Sequence, residues 1–147
     1  MKKKVLILGA NGAIAKHVVN ILQKNVDVEL TLFARGPVEI NDLISETTII
    51  QGDVLNREEL SAAMEGQDVV YANLSGPVDK MAIEIVDIMT QKAVSRLIFV
   101  TSLGVHDEVE GKFGEWNKRM IGSELVRYAK ATRIIEKSGL DYTVVRP

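Results

Sequence analysis

A glycine-rich turn at residues 9–15 is the segment of this 147-residue sequence best suited to bind an anion. It lies between an apolar run and a helical pattern. Gly9 permits a sharp turn, Gly12 lets a pyrophosphate approach the backbone, and Ala15 lets helix and strand pack closely. Amides at a helix start hold the anion. The turn predicts a dinucleotide site, the alternative being a purely structural turn. Its predicted residues are Gly9, Ala10, Asn11, Gly12, Ala13 and Ile14.

The end of the second predicted strand indicates which dinucleotide is bound. A domain selective for NAD usually places an acidic residue there, about 20 residues after the turn, to hold the ribose hydroxyls. This sequence has Arg35 at that place, and its nearest acid, Glu29, lies at the start of the strand. A guanidinium pairs with a 2′-phosphate that a carboxylate would repel. We therefore predict that NADP(H) is preferred over NAD(H); the alternative is a solvated arginine.

Asp53-Val54, after the third predicted strand, is a candidate adenine-binding pair, because related folds frame the adenine with an Asp and a small apolar residue. The alternative is that Asp53 or Asn56 caps the following helix, whose first turn is acidic. Ligands of such folds lie at the carboxyl ends of the strands. This places Asn73, Leu74 and Ser75 after the fourth strand, and Thr101 and Ser102 after the fifth, beside the cofactor.

The elements that must position these residues alternate between short β-branched runs and longer helical patterns. The predicted strands are Lys4–Leu8, Val28–Phe33, Thr47–Gln51, Asp68–Asn73, Leu97–Thr101 and Tyr142–Val145. The predicted helices are Ala13–Lys24, Arg57–Met64, Val78–Lys92 and Trp116–Lys137, the last as one helix or two. The residues expected to face the core are Ile14, Val18, Ile21 and Leu22 in the first helix, and Ile83, Val86, Ile88 and Met89 in the third.

This alternation predicts an α/β fold, a doubly wound parallel sheet with strand order 3-2-1-4-5-6. We expect residues 1–147 to form a single domain.

Net charge is −2 and no cysteine is present, which favours a cytoplasmic protein without disulfides and without a nucleic-acid footprint. The first apolar run is too short for a signal peptide, and no stretch approaches the ~20 apolar residues of a membrane span. Two histidines alone do not build a metal site.

Taken together, the quoted motifs resemble the atypical short-chain dehydrogenase/reductase family, with an NmrA-like NAD(P)-binding branch as the nearest match. The likeness spans essentially the whole chain, and a middle stretch resembles a bacterial sub-branch of oxidoreductases. The segments that carry it are residues 9–15, 53–54, 101–104, 107–117 and 139–147. Family members usually continue past the Arg146-Pro147 pair with a segment that helps to cover the substrate pocket. The resemblance therefore implies that a C-terminal segment is missing or that this is a short form.

The resemblance also implies a catalytic set, namely a strand-five hydroxyl and a tyrosine followed four residues later by a lysine. Ser102 matches the hydroxyl, and Tyr128 lies on the expected helix. The position four residues after Tyr128 is Thr132, while Lys130 is about 200° around the helix and points away. We predict Ser102 and Tyr128 as catalytic candidates; the alternative for Tyr128 is an ordinary amphipathic-helix residue. His106 is a weaker candidate proton donor.

Three functions follow from these motifs. The first is an NADPH-dependent reductase that transfers hydride to a small carbonyl or quinone acceptor. The second is a non-catalytic NADP(H)-sensing protein of NmrA type that docks to a protein partner, which the broken Tyr-Lys pair favours. A nucleotide-sugar epimerase or dehydratase is a third and weaker alternative. The apolar stretch Val78–Met89 of the third helix is suited to a homodimer interface as well as to packing on the sheet, so the oligomeric state is left open.

Overall fold

The computed structural model describes residues 2–44, 46–102 and 111–147, and these residues form one parallel sheet flanked by helices. The strands are β1 (Lys3–Leu8), β2 (Val28–Ala34), β3 (Thr48–Gln51), β4 (Val69–Ala72), β5 (Arg96–Val100) and β6 (Asp141–Val145). The helices are α1 (Ala13–Leu22), α2 (Arg57–Met64), α3 (Val78–Lys92) and α4 (Gly111–Glu136). The strand order is β3-β2-β1-β4-β5-β6, so the predicted doubly wound Rossmann topology is confirmed.

The central strand β1 shows why the sheet forms, since its last four residues are buried on both faces. It pairs in parallel with β2 on one side and with β4 on the other. Leu6 and Leu8 pack toward α2, α3 and α4, whereas Val5 and Ile7 pack toward α1. Burying each such side chain contributes about 1.5–3 kcal/mol. This double burial is what an uninterrupted apolar strand requires.

The helix faces differ from the prediction in α1 and α3. In α1 the buried residues are Ala15 and Val19, while Ile14 and Ile21 are 41% and 70% exposed. The prediction for these two isoleucines was wrong. The helix α1 packs on the sheet through the small Ala15, so Ile14 and Ile21 point toward solvent. In α3, Ile83 is 52% exposed. Its neighbour Ala82 faces the core, and a step of one residue rotates a side chain by about 100°.

The remaining element bounds lie close to those expected from the sequence, and α2 and α3 match them. The last helix is a single one, and it begins at Gly111 rather than at Trp116. It packs along α3 and contributes Leu125, Ala131 and Ile135 to the core. Across the described residues, no helix is both long and apolar enough to cross a membrane.

Candidate functional site

A cleft of ≈270 Å³ opens at the carboxyl ends of the central strands, beside the glycine-rich turn. It lies where β1 is flanked by β2 and β4, whose connections run to opposite sides of β1. This is the place where open α/β sheets bind ligands. The predicted cofactor-site residues that line it are Gly9, Asn11, Gly12, Arg35, Asp53, Val54, Asn73, Leu74 and Ser75.

The turn at Gly9 fits closely against the end of β4. Gly9 has a φ of +78°, and a Cβ atom there would lie 2.1 Å from the carbonyl oxygen of Asn73. The amides of Gly9 and Ala10 both donate to the carbonyl oxygen of Phe33, at 3.0 and 3.2 Å. Only glycine meets both constraints at position 9, because its φ is left-handed and its Cα faces a backbone atom. The turn is therefore fixed between β2 and β4.

The start of α1 lies at the cleft, because its N-cap Gly12 lines it. Gly12 is the N-cap, its lack of a side chain leaves the helix uncapped, and the first turn carries no acidic residue. The first helical hydrogen bond runs from the amide of Lys16 to the carbonyl of Gly12, at 2.9 Å. The amides of residues 13–15 therefore have no helical acceptor and point toward the cleft end of the helix. Such amides, with the positive end of the helix dipole, bind a phosphate or pyrophosphate.

Arg35 stands on the rim of the cleft directly after β2, and its side chain is exposed. Its own carbonyl oxygen accepts a hydrogen bond of 3.0 Å from the Gln51 side chain at the end of β3. Within the described part of the chain, no ion pair engages the Arg35 guanidinium. The guanidinium is therefore available to an anionic group at this rim of the cleft.

The structure separates the two roles considered for Asp53 and Asn56. Asn56 is the N-cap of α2, and its side chain accepts from the amide of Glu59 at 3.2 Å. Asp53 instead lines the cleft, where its Oδ1 accepts from the amide of Leu55 at 2.9 Å. Val54 is buried beside it. The helix cap thus belongs to Asn56, which leaves Asp53 facing the cleft.

The segment after β4 forms the opposite wall of the cleft. The Asn73 amide donates to the carbonyl of Leu8 at 3.0 Å, which continues the pairing of β4 with β1. The Asn73 side chain lies against Gly12, since a Cβ on Gly12 would be 3.2 Å from its Nδ2. Leu74 and Ser75 complete this wall, and Ser75 is exposed.

Tyr128 on α4 is tied to this wall. Its hydroxyl donates to the carbonyl oxygen of Leu74 at 2.6 Å. Burial, and secondarily the charge of Glu124, raise the pKa of Tyr128 above its ordinary value. The Thr132 hydroxyl, at the position where the family's lysine would stand, donates to the backbone carbonyl of Tyr128. In this arrangement Tyr128 is a neutral hydrogen-bond donor.

The remaining predicted residues lie outside the lining of the cleft. Ala10 is fully buried, and Ala13 and Ile14 are exposed on the first turn of α1. Thr101 is buried, and its hydroxyl donates to the carbonyl of Val145 at 3.2 Å, which ties β5 to β6. Ser102 follows it directly, on the strand-five side of the sheet. His106 falls outside the described residues.

Several lining residues were not predicted from the sequence: two end β2, two follow β2 and β3, and one lies in the first turn of α3. Gly52 packs closely against the Phe33 ring, and a Cβ there would come within 2.9 Å of it, so a larger residue would force the ring to shift. A signal for most of them was present, since residues at the carboxyl ends of β2 and β3 must line such a cleft. The residues missed are Phe33, Ala34, Gly36, Gly52 and Met81.

The fold and the cleft together define a Rossmann domain with a dinucleotide-type phosphate turn. The sequence family described as NAD(P)H-binding matches residues 9–147, and the chain belongs to this family. Its solved neighbours are Rossmann-fold and short-chain dehydrogenase/reductase proteins, which confirms the resemblance found in the sequence and is consistent with an NmrA-like branch.

A Rossmann-fold NAD(P)-binding family protein from Shigella flexneri is 43% identical, with a TM-score of 0.82 over 100% of this chain and 68% of that one. A short-chain dehydrogenase/reductase from Veillonella parvula, solved in complex with NADP, is 29% identical, with a TM-score of 0.88 over 99% of this chain and 69% of that one. The Bacillus subtilis protein YhfK, described as an uncharacterized sugar epimerase, is 26% identical over 98% of this chain and 71% of its own length.

Proposed function

We propose that the protein binds NADP(H) in this cleft and reduces a small carbonyl or quinone acceptor with NADPH. The observation that carries the proposal is Arg35, an exposed cation on the cleft rim at the position where an NAD-selective domain carries an acid. The V. parvula neighbour that contains NADP supports the same cofactor.

The chemistry of the residues that line the cleft supports binding of the cofactor along its length. The turn residues Gly9 and Gly12 and the first amides of α1 would hold the pyrophosphate, because neither glycine has a side chain that would keep it from the backbone. Asp53 and Val54 would border the adenosine, and Arg35 would pair with the 2′-phosphate. The predicted residues on the nicotinamide side are Asn73, Leu74, Ser75 and Thr101. NADPH, when bound, supplies the hydride.

The acceptor oxygen needs a hydrogen-bond donor as negative charge develops on it. We assign this role to two hydroxyls. Ser102 follows β5, and Tyr128 lies on α4. The raised pKa of Tyr128 keeps its hydroxyl protonated at neutral pH, so it can donate. The Tyr128 hydroxyl donates to the Leu74 carbonyl oxygen, and this hydrogen bond must break before the hydroxyl can donate to the acceptor oxygen.

The test is calorimetric titration of the protein with NADPH and, separately, with NADH. We expect NADPH to bind at least about tenfold more tightly, since a guanidinium–phosphate pair contributes roughly 1.5–3 kcal/mol. Arg35→Ala should erase this preference. Arg127→Ala removes an exposed arginine on α4 that does not line the cleft, so it should preserve the preference. NADPH oxidation over a panel of carbonyls and quinones then tests the reaction, and a clean negative with the cofactor bound would reject the reductase.

The geometry of Tyr128 favours one alternative, an NADP(H)-sensing protein without turnover. Its hydroxyl is committed to Leu74, and Thr132 stands in place of a lysine that would lower the tyrosine pKa. This alternative predicts tight NADPH binding, negligible NADPH oxidation, and a protein partner whose capture depends on the nucleotide. Identical capture with and without NADPH would count against it.

A further inference from the structure

The side chain of Asn11 connects the phosphate turn to the loop that follows Arg35. Its Nδ2 donates to the carbonyl oxygen of Pro37 at 2.8 Å, and its Oδ1 accepts from the amide of Glu39, also at 2.8 Å. Both ends of the side-chain amide are therefore used on one loop. Asn11 itself lies between Gly9 and Gly12, within the turn.

The backbone around Arg35 is held on two sides. Before it, the Phe33 carbonyl accepts the Gly9 and Ala10 amides. Beside it, the Gln51 side chain donates to the carbonyl oxygen of Arg35. Beyond residue 36, the hydrogen bond that Asn11 donates to Pro37 and the one that it accepts from Glu39 are the polar contacts that fix the loop to the turn in the described structure.

We infer that Asn11 is a positioning residue for coenzyme choice, because it holds the Arg35 loop in register with the turn that takes the pyrophosphate. The 2′-phosphate and the pyrophosphate are attached to the same ribose, so the distance between the two anion sites is restricted to a narrow range. Fixing the loop backbone before binding lowers the cost of ordering that loop when the nucleotide binds. The inference rests on the proposed preference for NADPH.

The experiment compares wild type with Asn11→Ala in NADPH and NADH titrations. We expect NADPH affinity to fall about five- to tenfold and NADH affinity less than about twofold, because only NADPH uses Arg35. The matched control is Asn25→Ala. Asn25 also accepts a backbone amide, from Asp27 at 2.9 Å, but at the opposite end of the sheet. This control should leave both affinities unchanged.

Two further measurements separate positioning from general damage. Hydrogen exchange at the Glu39 amide, measured without nucleotide, should lose protection in Asn11→Ala and keep it in Asn25→Ala. In an Arg35→Ala background, adding Asn11→Ala should leave the ratio of the two affinities unchanged, because the group that Asn11 positions is already gone.

The possible outcomes separate the inference from the proposed function. Equal NADPH and NADH binding by the wild type rejects the NADPH preference and the inference with it. A wild-type preference that Asn11→Ala retains rejects the inference alone. An equal loss of both affinities assigns Asn11 to the pyrophosphate turn and also overturns its role in coenzyme choice.

Discussion

Gly9 is held by two constraints that other glycines of the chain let us separate. Gly66 shares its left-handed φ, at +75°, but a Cβ on Gly66 meets nothing within 4 Å. Gly66→Ala should therefore cost only the backbone strain, about 1–2 kcal/mol. Gly9→Ala adds a clash with the Asn73 carbonyl, so we expect a loss of about 3 kcal/mol or more. Urea unfolding of both variants measures the difference, and equal losses would show that the turn yields without cost.

The ionisation of Tyr128 distinguishes an activated acid from a neutral anchor. Its pKa is raised above the ordinary value of 10.0 by burial and by Glu124. We expect the absorbance of tyrosinate that disappears in Tyr128→Phe to develop only above pH 10. Difference titration at 295 nm between wild type and variant measures this. A transition below pH 9 would mean that a nearby cation activates the hydroxyl and would favour Tyr128 as the proton donor.

The same shift makes a prediction about stability. Because the folded-state pKa of Tyr128 lies above the unfolded value, its stabilising contribution is complete below pH 10 and is lost as pH rises through the folded pKa. The free energy of unfolding of the wild type should therefore fall more steeply above pH 10 than that of Tyr128→Phe. Parallel slopes from urea unfolding at pH 9 to 11 would contradict the shift.

Among the elements, the segment between β3 and β4 contains one residue that caps α2 and another that lines the cleft. Asn56 caps α2, so Asn56→Ala should lower the free energy of unfolding by about 1 kcal/mol and leave nucleotide affinity unchanged. Asp53→Asn keeps an acceptor for the Leu55 amide and changes the charge that faces the cleft. We expect it to alter nucleotide affinity with little loss of stability. Effects in the reverse order would exchange the two roles.

How far the sequence predicts this molecule depends on how much of each element is encoded locally. The strand order and most element bounds follow from period and turn chemistry, and the turn at Gly9 follows from its glycines. The buried face of α1 was predicted wrongly, because the sequence does not decide whether Ile14 or Ala15 faces the sheet. The packing of the helix against the sheet decides it. The link from Asn11 to Pro37 and Glu39 was not predicted, since it depends on the path of an aperiodic loop.

At the scale of the whole molecule, the apolar face of α3 is already covered by contacts within the chain. Its apolar residues Ile85, Ile88 and Met89 are almost fully buried against the sheet and its neighbouring helices. A dimer through this face would have to displace them, so of the large apolar residues of α3 only Ile83 remains exposed to a second copy.

The homodimer and the cytoplasmic location stay predictions. The chain spans about 70% of the length of the relatives it matches at full coverage, and its activity is accordingly a proposal.

The cleft draws on residues from the ends of β1, β2, β3 and β4, so nucleotide binding should stabilise the fold as one unit. At one hundred times its Kd, NADPH adds about 2.7 kcal/mol, which for a domain of this size raises Tm by roughly 5–10 °C. Trp116, the single tryptophan, lies on α4 and is not among the residues that line the cleft. Because α4 packs its buried residues into the core shared with β1 and α3, fluorescence of Trp116 and far-ultraviolet circular dichroism should show the same midpoint and the same shift. A shift in circular dichroism alone would show that α4 unfolds independently of the cleft.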